Sequence, residues 1–247
     1  MDNFLILIFA IIRVFVEYIG LSFSNISIAI AGGILPALLW LWFWLREDSL
    51  HPEPKGRIIL CFVAGMLSVF PAYYAQKGAL SLFSAPLIIF FLWAGIEELV
   101  KYAAAASSAL HSSDFDEPID GLIYMITAAL GFAAIENTVF MMTPLLEGDI
   151  LKSVATGNTR FIGASLLHVA SSAVLGFFIA KTFFSSPFKK TVARILGVIL
   201  ATVLHTLFNF LIIKSTGNLI FFAFGLVWVV IFVILFLFEK IKRLKRK

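Results

Sequence analysis

The chain has 247 residues, of which 61% are hydrophobic and only 14% are charged, and its formal net charge is +4. Soluble domains are nearer to about 45–50% apolar, so this composition excludes a water-soluble globular protein. Six of the last eight residues are Lys or Arg. Such a cluster is typical of the cytoplasmic side of an anionic membrane, and no nucleic-acid partner is expected. The single cysteine, Cys61, excludes an intrachain disulfide.

Apolar runs of about 20 residues recur along the chain, which is the length that a helix needs to cross a bilayer. Lipid offers no partners to backbone amides, so these runs must be helical. We predict an all-α transmembrane bundle that forms one domain over residues 1–247. Arg13 and Glu17 interrupt the first run, and we expect them to pair across one turn of a retained helix. About eight spans are predicted, near residues 3–22, 27–45, 57–76, 86–106, 118–142, 160–183, 191–213 and 218–238.

The positive charges between the spans predict the orientation of the bundle. If both termini are cytoplasmic, the tail and the loops near Arg46, Arg57 and Lys189 carry most of the Lys and Arg residues, as cytoplasmic segments do. Residues 146–159 form the longest predicted connection and would lie on the external side.

Four consecutive spans carry ionisable side chains in their interiors, where each one costs about 2.5–3.5 kcal/mol. The fourth span has Glu97 and Glu98, the fifth has Glu136, the sixth has His168 and the seventh has His205. Depths counted from the external ends of the spans are roughly 9–16 Å for Glu97, Glu136, His168 and His205. We therefore expect them to converge in one polar site in the outer half of the membrane.

Some nearby polar residues have simpler explanations. Lys101 is expected to neutralise Glu97 or Glu98, and Asn209 and the serines around His168 are expected to join helices by hydrogen bonds. Residues 116–120, with sequence DEPID, indicate a helix start with an acidic cap and an early proline. Asp120 should point away from Glu136 around the helix, so we place it outside the site.

Carboxylates and imidazoles around a water molecule are sufficient for hydrolysis. A buried Glu can take a proton from water and return it to a leaving amine, and His or Asn donors can stabilise an oxyanion. The sequence contains neither G-x-S-x-G nor H-E-x-x-H, so neither a serine nucleophile nor a zincin site is indicated. We expect no cofactor and assign no metal ligand. However, two Glu and two His side chains from four helices could bind zinc.

Several short motifs occur in order on these spans. They are Glu97-Glu98-x-x-Lys101, the stretch 116–121, Gly131-Phe132-x-x-x-Glu136-Asn137, Arg160 with His168, and His205 with Asn209. Together they resemble the PrsW family of intramembrane proteases over residues 40–212. This family shares a wider superfamily with the CAAX prenyl-protein proteases and the gamma-secretase subunit APH.

The resemblance implies a glutamate-dependent peptide hydrolase in a prokaryotic cell membrane. Its substrate would be a single-span membrane protein, in the type case an anti-sigma factor, cut near the extracytoplasmic face. The CAAX relatives carry Arg one position after Lys101 and His in place of Glu136, so prenyl-peptide substrates are not expected. The implied catalytic residues are Glu97, Glu98, Glu136, His168 and His205, and the implied supporting residues are Lys101, Phe132, Asn137, Arg160 and Asn209.

Two other classes of function fit the same polar residues. Chains of Glu and His also relay protons in transporters, although the broken spans or inverted repeats of many transporters are not visible in the sequence. A non-catalytic scaffold could retain the site for packing alone. The sequence sets no oligomeric state.

Overall fold

The computed structural model describes residues 23–48, 51–214 and 219–244, and all regular structure in these ranges is helical. The predicted first span, with Arg13 and Glu17, lies outside the described residues. The prediction of an all-α protein is confirmed for the described part of the chain. The helices are α1 (Phe23–Leu45, continued by a 3-10 turn at Arg46–Asp48), α2 (Lys55–Leu67), α3 (Val69–Leu82), α4 (Pro86–Ala105, continued by a π turn at Ala106–Leu110), α5 (Asp120–Leu146), α6 (Ile150–Ile162), α7 (Ala164–Lys181), α8 (Pro187–Lys214) and α9 (Leu219–Lys242).

Within the described ranges, six helical segments are long and apolar enough to cross a bilayer. Helix α4 is not among them because it carries three charged residues, although its 20 residues would extend about 30 Å. A multi-pass membrane bundle is confirmed, while the count of about eight spans and the cytoplasmic position of both termini remain predictions. The six segments are Phe23–Asp48, Lys55–Leu82, Asp120–Leu146, Ile150–Lys181, Pro187–Ile212 and Phe221–Lys242.

The predicted long loop at residues 146–159 is wrong for most of its length, because α6 begins at Ile150. Gly148 adopts φ 79° in the turn, and the Asp149 carboxylate then caps the helix by accepting from the Lys152 backbone N–H over 2.8 Å. Ser153 is buried and donates to the Met141 carbonyl over 2.9 Å. The polar residues that suggested a loop therefore form a tight turn and a helix cap.

Helix α5 forms the centre of the bundle, since every residue from Asp120 to Ala134 is buried. Close backbone approach makes this packing possible. A Cβ atom added at Gly65 of α2 would lie 2.1 Å from the Ala128 carbonyl oxygen, and one added at Gly131 of α5 would lie 2.0 Å from the Phe62 carbonyl oxygen. Small residues are used in this way where helices meet inside membranes. The central position of α5 brings Glu136 within reach of several neighbouring helices.

The other end of α5 carries a separate acidic network. The Asp120 carboxylate accepts from the backbone N–H groups of Asp116 and Glu117 at 2.9 and 2.8 Å. The predicted acidic cap is wrong in detail, because the helix begins at Asp120 itself and Asp120 ties back the preceding turn. Sixteen residues, or about 24 Å of helix, separate Asp120 from Glu136, so Asp120 lies outside the site as expected. The Tyr124 hydroxyl donates to Glu53, whose pKa is raised by burial.

The packing of α2 against α5 can be tested with Gly131→Leu. The new side chain would overlap the α2 backbone, and overpacking of this kind costs about 1–3 kcal/mol or more. We expect a clear drop in the thermal unfolding midpoint of the purified protein in detergent. Gly225→Leu on α9 is the matched control, since no atom lies within 4 Å of a Cβ added at that position. Equal midpoints for the two variants would contradict the close approach.

Candidate active site

The predicted convergence of acidic and histidine side chains is present in the structure. Helix α4 contributes Glu97 and Glu98, α5 contributes Glu136, α7 contributes His168 and α8 contributes His205. Both histidines are buried, and their ring centroids lie 5.2 Å apart with the ring planes nearly perpendicular. Because these side chains come from four helices, the site exists only when the bundle is packed.

Glu98 is fully buried and is the best-satisfied of the three carboxylates. Its Oε1 accepts from Lys101 Nζ at 2.5 Å, from the Ser171 hydroxyl at 2.8 Å and from His205 Nδ1 at 2.9 Å. Its Oε2 accepts from the Ser172 hydroxyl at 2.9 Å. Such a set of donors matches an ionised carboxylate, which only accepts, and Lys101 supplies the balancing charge. Glu98 is therefore held rigidly and orients His205.

The hydrogen bonds assign the tautomers of the two histidines. Lys101 Nζ lies 3.1 Å from His168 Nδ1, and an ammonium group only donates, so Nδ1 accepts and Nε2 donates to Glu136 Oε2 over 2.8 Å. His205 donates from Nδ1 to Glu98, and its Nε2 lies 3.5 Å from Glu97 Oε2. Each ring is thus held by one carboxylate.

Glu97 differs from its neighbour in having one oxygen without a hydrogen bond. Its Oε1 accepts from the side-chain amide of Gln76 over 2.8 Å. Its Oε2 is buried without a hydrogen-bond partner and faces the acceptor nitrogen of His205. One ligand atom each from Glu97, His168 and His205 lie within 4.8 Å of one another. A buried carboxylate oxygen and an imidazole nitrogen at this distance are satisfied by a proton on one of them, or by a water molecule or a metal ion between them.

Glu136 connects His168 to the side of the site that faces α6. The Arg160 guanidinium pairs with Glu136, and its Nε donates to Asn137 Oδ1 over 2.6 Å. Asn137 in turn donates to the Ser165 hydroxyl over 2.9 Å, which ties α5 to α7. The Phe132 ring packs against His168 with a centroid separation of 5.4 Å. These contacts fix the His168 ring from two sides.

The structure brings together the five predicted catalytic side chains and four of the five predicted supporting ones. The exception is Asn209, which is half-buried one turn beyond His205, and no described hydrogen bond joins it to Glu97, His168 or His205. Sequence reasoning missed Gln76. Its only signal is an amide side chain in an apolar run, between Ala72 and Ala79 at helical spacing.

An all-helical membrane bundle with a buried carboxylate–imidazole site is the arrangement expected of an intramembrane hydrolase. The sequence model of the PrsW family intramembrane metalloprotease matches residues 53–237, about three quarters of the chain, so the protein belongs to this family. Compared with the resemblance at residues 40–212, the match begins later and ends later, so that it includes most of α9. The protein is therefore an intramembrane protease of a bacterial cell membrane, and neither a transporter nor a non-catalytic scaffold is favoured.

Curated relatives agree with this assignment. The chain is 28% identical to Protease PrsW of Geobacillus kaustophilus, over 63% of this chain and 67% of the relative. It is 29% identical to Protease PrsW of Oceanobacillus iheyensis, over 74% and 82% of the two chains. It is 24% identical to Protease PrsW of Bacillus subtilis, over 78% and 86%. No solved structure matches the chain.

The buried ion pair can be tested with Lys101→Met, which removes the charge that balances Glu98. Breaking a buried pair by removing one partner costs about 3–5 kcal/mol, because the remaining charge stays buried. We expect a large fall in the thermal unfolding midpoint.

The control for this experiment is Lys152→Met, which breaks the exposed pair with Glu147 and should change stability by about 0–1 kcal/mol. Similar midpoints for the Lys101 and Lys152 variants would show that Lys101 does not stabilise the buried carboxylate.

Proposed function

We propose that the protein cleaves a peptide bond with a water molecule held between Glu97, His168 and His205. The observation that carries this proposal is the buried, unpartnered Glu97 Oε2 that faces His205 Nε2 at 3.5 Å. A carboxylate placed beside a nucleophilic water can take its proton during attack and pass it to the leaving amine. Glu97 is therefore the proposed general base and acid.

Glu98 and Glu136 have a different role in this proposal. Glu98 holds His205 through Nδ1 and Glu136 holds His168 through Nε2, so each carboxylate orients a ring. Lys101 and Arg160 neutralise these two carboxylates, which reduces the negative charge that would oppose the charge developing on the substrate carbonyl oxygen. The sequence analysis gave Glu97 and Glu98 the same role, and the different hydrogen bonding of the two now favours Glu97.

The donor set also fits a metal ion. The family description names a metalloprotease. Glu97 and His205 offer a carboxylate oxygen and an imidazole nitrogen, and His168 would complete the set by giving up its bond to Lys101 or to Glu136; these are the ligand types of catalytic zinc. Histidines that bind zinc usually give their other N–H to a carboxylate, as His205 does to Glu98. Zinc would supply a more nucleophilic water and polarise the carbonyl. We propose zinc binding as the alternative to the metal-free mechanism, with Glu97 then a ligand instead of the base; the sequence alone led us to expect no cofactor.

The substrate in this proposal is a single-span membrane protein that is cut near the extracytoplasmic face. In this proposal the substrate approaches from the end of α5 next to α6, where Arg160 pairs with Glu136, and the charge distribution predicts this end to be external. A groove of about 370 Å³ lies there and is lined by Phe140, Lys152, Ala155, Thr156, Thr159 and Arg160. Cleavage of an anti-sigma factor, and a shared superfamily with the CAAX proteases and APH, rest on the sequence resemblance.

The role of Glu97 can be tested with Glu97→Gln in purified protein that is mixed with a single-span substrate. Loss of a general base reduces rates by roughly 10²–10⁴-fold, and we expect a fall in kcat of this size. Glu239→Gln, which removes an exposed carboxylate on α9 outside the site and the groove, should cleave like the wild type. Cleavage that persists in both Glu97→Gln and His168→Ala variants would eliminate the proposed mechanism.

The metal proposal predicts about one zinc ion per chain in protein purified without added metal, as measured by elemental mass spectrometry. Because His205 would be a ligand, His205→Ala should lose most of this zinc, and a strong chelator should abolish cleavage. The control is His111→Ala, which changes an exposed histidine outside the site. Fully active protein without metal would instead support the metal-free expectation.

A further inference from the structure

One hydrogen bond from outside all the sequence motifs reaches the proposed base. Gln76 lies on α3, twenty-one residues before Glu97, and its Nε2 donates to Glu97 Oε1 over 2.8 Å. A carboxylate only accepts hydrogen bonds, so the amide presents its N–H₂ group to Glu97. Among the described residues, Gln76 is the only hydrogen-bond donor to this carboxylate. It is a candidate for a functional role that the family motifs do not assign.

The position of Gln76 on α3 explains how an amide reaches the site. Ala72 and Ala79 are the buried residues of this helix, and Gln76 lies between them on the same face, four residues after one and three before the other. Tyr73 and Tyr74 lie off this face and are 59% and 71% exposed. Helix α3 therefore packs against the bundle along a narrow face only, and Gln76 lies in the middle of that face.

A second contact fixes the backbone at the same residue. The Trp93 indole N–H on α4 donates to the Gln76 carbonyl oxygen over 3.3 Å. Trp93 lies one helical turn before Glu97, so α4 holds Gln76 close to the position of the carboxylate. Both the backbone and the side chain of Gln76 are therefore hydrogen-bonded to α4, which limits the movement of the amide relative to Glu97.

The hydrogen bond from Gln76 determines which carboxylate oxygen of Glu97 is left to act on water. With Oε1 occupied, the plane of the carboxylate is set so that Oε2 faces His205 Nε2. Glu98, the next residue, is oriented by Lys101, His205 and two serines, whereas Glu97 depends on Gln76. Without this donor, Oε1 would be buried and unsatisfied, and the carboxylate would rotate towards other donors.

We propose that Gln76 is a positioning residue that holds Glu97 in the orientation needed for peptide hydrolysis, an inference that rests on the function proposed above. Gln76 does not touch the substrate in this proposal and acts only through the carboxylate. Removing a partner that orients a reactive group typically costs about 10–100-fold in activity, because small displacements weaken the chemical step. The effect should therefore fall on kcat, while substrate binding stays the same.

The test compares three variants in purified protein with a single-span membrane substrate. Gln76→Met keeps the size of the side chain and removes the donor, so kcat should fall roughly 10–100-fold with KM within about twofold of the wild type. Gln76→Glu places an acceptor of like charge against Glu97, so kcat should fall further. Lys77→Met, an exposed change on the same helix, is the control and should leave both constants unaltered.

Two reference measurements separate this proposal from the proposed function. Cleavage by the wild type and its loss in Glu97→Gln test the function itself, and failure of either one rejects that function whatever Gln76 does. If both hold, wild-type kcat in Gln76→Met would overturn the positioning role. A raised KM with unchanged kcat would also overturn it, as would a loss of kcat that follows a fall in the unfolding midpoint.

Discussion

The rest of the structure depends on the pairing of opposite charges inside the helical bundle, where bulk water does not solvate them. Glu98 and Lys101 are both fully buried, and their 2.5 Å ion pair lies where an unpaired charge would cost several kcal/mol. The pair also bonds to His205 and His168, so the same two charges that make burial tolerable set the positions of both rings. The same hydrogen-bonded network therefore neutralises the buried charges and positions the two histidines.

Within this network the three carboxylates are used differently. Glu98 accepts four hydrogen bonds and Glu136 accepts two at Oε2, and each of them holds a histidine. Glu97, by contrast, keeps one buried oxygen without a hydrogen bond. An unsatisfied buried acceptor is unfavourable in a folded protein, and such groups tend to occur where a ligand or reaction requires them. The contrast between two adjacent glutamates on one helix is the strongest indication of where the chemistry takes place.

The fold supplies the rigidity that this arrangement needs. Helix α5 is buried along its first half because Gly65 and Gly131 allow the backbones of α2 and α5 to touch. Helices α7 and α8 carry the histidines, and α4 carries the adjacent acids, each on a long helix whose rotation is fixed by its neighbours. Helix α3 is more peripheral, so its one polar side chain on the inward face connects the edge of the bundle to the centre of the site.

The sequence by itself determined the class of protein, the positions of most helices, and the group of side chains that would meet. These follow from hydropathy and from the cost of burying charge, which depend on local composition and on spacing along a helix. Only the tertiary structure showed that residues 150–159 are helical and that Glu97 and Glu98 differ in hydrogen bonding. It also showed that Gln76 bonds to Glu97, while no described hydrogen bond joins Asn209 to the site. These features depend on how each helix is rotated against its neighbours, because a rotation of one residue position changes which oxygen meets which donor.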